Sequence, residues 1–151
     1  MIAVDTNILV YAHREELPKH RAAKRQLTAL AEGRVRWGIP VFCLGEFLRV
    51  ITHRRLFDPP HTLAEATEAL ARLLESPSVT VLAPSPAFQE LLLAAMREAD
   101  ATGNLAFDAQ IVALCRDAGV STLLTEDRDF ERFRHFQVRR LGERLDRRSQ
   151  A

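Results

Sequence analysis

The chain has 151 residues, of which 47% are hydrophobic and 27% are charged. A chain of this length and apolar content can fill one hydrophobic core without disulfides or metals, which excludes an intrinsically disordered protein. The 21 Lys and Arg residues nearly balance the 20 Asp and Glu residues. Net charge therefore gives no general attraction to nucleic acids or membranes, and any such binding must be local.

The N-terminal segment and the two cysteines indicate the compartment. Residues 1–12 are largely apolar, but Asp5 and Asn7 interrupt them and no basic region precedes them, so we expect part of the fold and not a signal peptide. No apolar run approaches the roughly 20 residues of a membrane-spanning helix. Cys43 and Cys115 lack CxxC spacing, which is typical of buried thiols in a reducing compartment. We expect a cytoplasmic protein with no membrane segment.

Hydrophobic periodicity and turn residues predict alternating strands and helices. Ile2–Val4 is short and uniformly apolar, as expected of a strand that is covered on both faces. Thr62 and Glu65 have the spacing of a capping box and mark the start of a helix. In chain order, the prediction is a strand at 2–4, a helix at 16–33, a strand at 35–39, helices at 40–52 and from 62, a strand at 79–82, helices at 85–99 and 103–119, a strand at 122–125, a short helical segment at 127–133 and an edge strand at 137–141.

Strands separated by helices predict an α/β fold, in which a largely parallel sheet lies between helical layers. Turn signals are spread evenly along the sequence, so we predict one domain over residues 1–141. The remaining residues, 142–151, form a basic tail that we expect to be mobile. In parallel sheets, ligands bind at the carboxyl ends of the strands, and chemistry is expected there.

Four acidic residues are predicted at this edge of the sheet. Asp5 directly follows the first strand, and Asp127 follows a later one. Glu46 and Asp108 lie on helices that enter from the same side. Two carboxylates about 4 Å apart repel by about 4 kcal/mol at an effective dielectric constant near 20, so a converging group needs protons or cations. Mg²⁺ prefers carboxylate oxygens and can activate water, and the set therefore predicts metal-assisted hydrolysis of a phosphodiester.

Each of the four acids also has an alternative explanation as a structural residue. Asp5 has the position of an Asx-turn or capping residue, Asp127 that of a helix N-cap, and Asp108 suits the dipole of a helix N-terminus. Glu46 can pair with Arg49, three residues further along the same helix. Only the four acids together favour a metal site.

Four sequence segments surround these acids. They are Val4-Asp5-Thr6-Asn7-Ile8-Leu9, Glu46-Phe47-Leu48-Arg49-Val50 with Thr52, Gly103-Asn104-Leu105 with Phe107-Asp108-Ala109-Gln110-Ile111, and Leu124-Thr125-Glu126-Asp127-Arg128-Asp129-Phe130. In their order and spacing, these segments resemble the PIN-domain ribonucleases, in particular the VapC-like toxins of bacterial toxin–antitoxin pairs. The likeness covers nearly the whole chain.

The resemblance implies a PIN-like three-layer α/β/α fold with acids clustered at the carboxyl ends of the strands. The implied catalytic and metal-binding residues are Asp5, Glu46, Asp108 and Asp127, with Mg²⁺ or Mn²⁺ as the cofactor. Residues implied to orient or assist these ligands are Thr6, Asn7, Thr125 and Asp129. The resemblance further implies an endoribonuclease that cuts structured RNA such as tRNA or rRNA, forms a homodimer and is inhibited by a cognate antitoxin protein.

Other hypotheses stay open at this stage. Arginines are frequent from Arg128 onward, and they predict either RNA phosphate contacts or a solvated surface. A noncatalytic RNA- or protein-binding module on the same fold would use these arginines, and its binding would survive chelation. A haloacid-dehalogenase-like phosphatase would need a second acid where Asn7 stands. Trp37 could stack on a base, but a single Trp near a short strand is more typical of the core.

Overall fold

The computed structural model describes residues 1–143, so the predicted basic tail lies outside the described residues from position 144 onward. Its strands are β1 (Ile2–Val4), β2 (Trp37–Pro40), β3 (Val79–Leu82), β4 (Thr122–Leu124) and β5 (Gln137–Arg139). Its helices are α1 (Thr6–His13), α2 (His20–Glu32), α3 (Val41–Ile51), α4 (Leu63–Leu74), α5 (Phe88–Glu98) and α6 (Leu105–Asp117), and a 3-10 turn covers Arg128–Arg132.

The five strands form one parallel sheet in the order β3-β2-β1-β4-β5. Strands β2 and β3 lie in succession on one side of β1, and β4 and β5 lie in succession on its other side. The strand order therefore reverses between β1 and β4, which are hydrogen-bonded neighbours. This arrangement confirms the predicted three-layer α/β/α fold, and it makes the carboxyl ends of β1 and β4 the expected site of chemistry.

The central strands are buried on both faces. Ala3, Val4, Leu123 and Leu124 are at most 1% exposed, which agrees with their uniformly apolar sequences. Trp37 is fully buried, and its indole nitrogen donates a 3.1 Å hydrogen bond to Ser78 Oγ. It is therefore a core residue and cannot stack on a base.

The N-terminal helices differ from the prediction. Helix α1 is missing from the predicted elements, and α2 begins at His20 instead of residue 16. Ile8, Leu9 and Val10 are all buried because α1 packs against α2 and α3 as well as following the central strand. A short helix that is covered on several sides has no amphipathic pattern for sequence periodicity to detect.

Other local predictions are confirmed. Thr62 and Glu65 form the reciprocal capping box of α4, and β5 lies at the sheet edge. Cys43 and Cys115 are buried free thiols. Within residues 1–143, the helices are all too short or too polar to cross a membrane.

Candidate metal centre

Asp5 is a buried acid at the carboxyl end of the central strand. Its side chain is the N-cap of α1 and accepts a 2.7 Å hydrogen bond at Oδ1 from the backbone N–H of Thr6. Oδ2 accepts from Thr125 Oγ1 at 2.6 Å and from Asn7 Nδ2 at 3.1 Å. The helix-capping role considered from sequence is therefore present, and the same contacts fix the direction of the carboxylate.

Thr125 and Asn7 link the ends of β1 and β4. The Thr125 hydroxyl donates to Asp5 and accepts from Asn7 Nδ2 at 3.0 Å and from the backbone N–H of Asp127 at 3.1 Å. Asn7 Oδ1 accepts from the backbone N–H of Glu126 at 3.3 Å. These contacts hold the loop after β4 against the loop after β1, whereas Thr6 contributes only its backbone N–H to Asp5.

Three carboxylates converge beside this link. Asp108, Asp127 and Asp129 each offer an oxygen, and these oxygens lie within 4.8 Å of one another. Asp108 comes from the first turn of α6. Asp127 is the N-cap of the 3-10 turn and accepts a 2.9 Å hydrogen bond from the backbone N–H of Asp129. That turn places both acids of the Asp-x-Asp sequence on the side of Asp108.

The charges of this acid cluster, Asp108, Asp127 and Asp129, are not balanced by cations. Burial and, to a smaller extent, the negative charges of Asp127, Asp5 and Asp129 together raise the pKa of Asp108 to about 7. Burial also raises the pKa of Asp5, against the lowering effect of its hydrogen bonds from Thr125 and Thr6. Within the described part of the chain, none of these four acids forms an ion pair.

Glu46 is not part of the cluster. Its carboxylate accepts hydrogen bonds from Arg49 Nε at 3.0 Å and Nη2 at 2.6 Å, and this pairing lowers the pKa of Glu46. The alternative considered from sequence, an ion pair with Arg49, is therefore the observed arrangement. Cys43, one helical turn earlier, points its thiol at Asp5 Oδ1 at 3.9 Å. Glu46 thus lies on the same side of α3 as the residue that contacts Asp5.

Comparison with known proteins gives the family. The PIN domain model matches residues 2–135. The chain belongs to the PIN-domain family. It is 36% identical over 143 residues to a protein named VapC ribonuclease Mb2897 from Mycobacterium bovis, with 92% of this chain and 94% of that protein covered.

Two solved structures share the fold. VapBC2 from Rickettsia felis, solved bound to a promoter DNA fragment, matches with a TM-score of 0.65 and 19% identity over 93% of this chain and 98% of that chain. VapC20 from Mycobacterium tuberculosis, described as a Sarcin-Ricin loop cleaving toxin, matches with a TM-score of 0.63 and 22% identity over 87% and 93%. At these identities, the likeness bears on the fold alone.

The donor set of this PIN domain fits a hard divalent cation. Three carboxylate oxygens within 4.8 Å of one another are ligands that Mg²⁺ and Mn²⁺ prefer. Burial and the like charges of Asp127, Asp5 and Asp129 raise the pKa of Asp108, and a cation held by these carboxylates would relieve that repulsion.

Sequence reasoning gave Asp129 only an assisting role, although its carboxylate lies in the cluster with Asp108 and Asp127. The Asp-x-Asp spacing after a strand was the available signal. Because the N-cap hydrogen bond folds Asp129 back toward Asp127, both side chains reach the same side of the turn.

Proposed function

We propose that this PIN domain is a metal-dependent endoribonuclease and the toxin of a toxin–antitoxin pair. The observation that carries the proposal is the convergence of Asp108, Asp127 and Asp129 next to the buried carboxylate of Asp5. The 36% identity to a named VapC ribonuclease supports RNA as the substrate. Structured RNA, such as tRNA or rRNA, is the class that we propose.

Asp108, Asp127 and Asp129 would hold the metal, which we propose to be Mg²⁺ or Mn²⁺, together with Asp5. Glu46 would join them once its carboxylate leaves Arg49. Bound metal would supply charge neutralisation for the phosphodiester and a lower pKa for an attacking water.

The residues of the chain itself prepare this site. Thr125 and Asn7 orient Asp5, because they donate hydrogen bonds to its carboxylate. The Asp127 N-cap sets the position of Asp129. The cluster is only partly exposed at Asp108 and Asp127, and this partial burial strengthens its interaction with a cation.

We also propose a small antitoxin protein and a second copy of the chain as partners, and the cytoplasm as the compartment. Two buried free thiols suit a reducing compartment. Apolar side chains are available to a partner: Phe42 is 36% exposed and packs against Phe88 with ring centroids 5.9 Å apart, and Leu93 on α5 is 53% exposed.

The function is tested by incubating total cellular RNA with the purified protein and either Mg²⁺ or EDTA, followed by sequencing of the new RNA ends. We expect cleavage at defined positions that EDTA and the Asp108→Asn substitution both abolish. Cleavage by Asp108→Asn at the wild-type rate would rule the proposal out. RNA binding that persists in EDTA, without cleavage under either condition, would instead support a noncatalytic binding module.

A further inference from the structure

Phe107 is an exposed aromatic residue beside the acid cluster. It directly precedes Asp108 in the first turn of α6 and is 64% exposed. Further along the same helix, Ala109 and Ile111 to Cys115 are buried. An exposed phenylalanine contributes little to the stability of the fold, because its ring stays in water. The Phe107 ring is therefore available to contact a ligand.

Arg128 is an exposed cation in the 3-10 turn that carries Asp129. It stands between Asp127 and Asp129, and no side-chain hydrogen bond or ion pair is seen for it within residues 1–143. The neighbouring Arg140, by contrast, pairs with Glu131 at 2.6 Å. Arg128 therefore has its donors available to a ligand.

The backbone places both residues next to the site. Successive Cα atoms are about 3.8 Å apart, so Phe107 and Arg128 each begin one residue away from a carboxylate of the cluster. Adjacent residues of an α-helix point about 100° apart around its axis. The Phe107 ring therefore points in a different direction from the Asp108 carboxylate.

We propose that Phe107 and Arg128 bind the RNA substrate beside the cluster, Phe107 by stacking on an unpaired base and Arg128 by contacting a phosphate. This inference rests on the proposed ribonuclease function. RNA is bound through bases that stack on aromatic rings and through phosphates that meet arginines. An arginine beside the carboxylates adds positive charge for the phosphate backbone of the substrate.

Phe107 is tested with Phe107→Leu, which keeps an apolar side chain but removes the aromatic face, and with Phe107→Tyr, which keeps the face. The substrate is a fluorescent hairpin RNA built around the position that the wild type cuts in total RNA. We expect Phe107→Leu to raise KM about tenfold or more, and Phe107→Tyr to stay near the wild type. Leu63→Ala is the matched control, since Leu63 is 72% exposed in the first turn of α4, and it should leave KM unchanged.

A double-mutant cycle identifies the contact. The same hairpin is made with an abasic nucleotide at each of the two positions flanking the cut in turn. At the stacked position, removal of the base should abolish the difference between the wild type and Phe107→Leu. If the difference persists at both abasic positions, Phe107 does not stack on either base and the proposal fails for it.

Arg128 is tested by the salt dependence of KM for the same hairpin. Arg128→Gln should lower the slope of log affinity against log salt by about 0.7 to 1, whereas Arg128→Lys should keep most of it. Arg25→Gln, on exposed α2 surface, is the control and should keep the wild-type slope. An unchanged slope in Arg128→Gln overturns its assignment.

The outcomes separate this inference from the function on which it rests. If the wild type cleaves no RNA, the proposed function fails and the inference fails with it. If the wild type cleaves but Phe107→Leu and Arg128→Gln match it in KM and salt slope, only the inference fails. A loss of dimer in light scattering with unchanged KM would make Phe107 a subunit contact, and this too would overturn it.

Discussion

The hydroxyl of Thr125 donates a 2.6 Å hydrogen bond to Asp5 Oδ2 across the ends of β4 and β1. Both residues are buried, with Thr125 0% and Asp5 6% exposed. The contact joins two loops at the reversal of strand order, so it fixes the central acid relative to the loop that carries Asp127 and Asp129.

Thr125→Val should test this contact, because valine has nearly the same shape and no hydroxyl. The hydrogen bond lowers the pKa of Asp5, so it stabilises the charged carboxylate and its loss matters most where Asp5 is ionised. We expect a loss of about 1–3 kcal/mol in the free energy of unfolding at pH 8, and a smaller loss at pH 4. Thermal unfolding at the two pH values measures this, with Thr125→Ser as the control that keeps the hydroxyl. Equal loss at both pH values would contradict the assigned role.

Asp108→Asn should stabilise the metal-free protein at alkaline pH. The folded-state pKa of about 7 lies above the unfolded value of about 3.9. The stability contributed by this group is therefore fully present below about pH 4 and is lost as the pH rises through 7. Asparagine does not ionise, so the variant should gain about 1–2 kcal/mol at pH 8 after allowance for partial solvent screening, and nothing at pH 4.

Melting temperatures in EDTA across this pH range measure the effect. Asp117→Asn is the matched control. Hydrogen bonds from Ser85 lower the pKa of Asp117, so removal of that charge should give no gain at high pH. If Asp108→Asn and the wild type show parallel pH profiles, the charge crowding at Asp108 is absent.

Divalent cations should raise the melting temperature of the wild type. A cation that binds the folded cluster but not the unfolded chain stabilises by mass action, by about 2.7 kcal/mol at one hundred times its dissociation constant. For a chain of this size, such a gain corresponds to about 5–10 °C. Scanning calorimetry with Mg²⁺ or Mn²⁺, against NaCl of equal ionic strength, checks this. An equal shift in Asp108→Asn would place the binding elsewhere.

Substitutions at Glu46 and Arg49 test whether Glu46 is a metal ligand or only a member of a surface ion pair. The pair is largely exposed, at 44% and 58% of the two side chains, and such pairs contribute about 0–1 kcal/mol to stability. We expect Glu46→Gln to keep the melting temperature but to lose most Mg²⁺-dependent cleavage, because a metal ligand is removed. Arg49→Gln, which frees the carboxylate, should retain cleavage. Full activity in Glu46→Gln would leave Glu46 as a surface residue only.

Much of the fold could be predicted from local patterns. Apolar strands such as Ile2–Val4 and the capping box at Thr62 and Glu65 are signals contained within a few residues, so tertiary context did not need to be known. The placement of Asp5, directly after one strand, and of Asp127, shortly after another, at the same edge likewise followed from the rule that parallel strands end at one edge of the sheet. Helix α1 was not predicted because packing against both α2 and α3 buries it on several sides, which leaves no amphipathic pattern in its sequence.

The sequence by itself determined the α/β class, from the alternation of strands and helices, and which acids follow which strands. Only the tertiary structure decided which carboxylates meet, that Glu46 is held by Arg49, and that Trp37 is buried while Phe107 is exposed. Side-chain direction and burial are set by contacts between elements far apart in the chain, and local sequence carries little of that information.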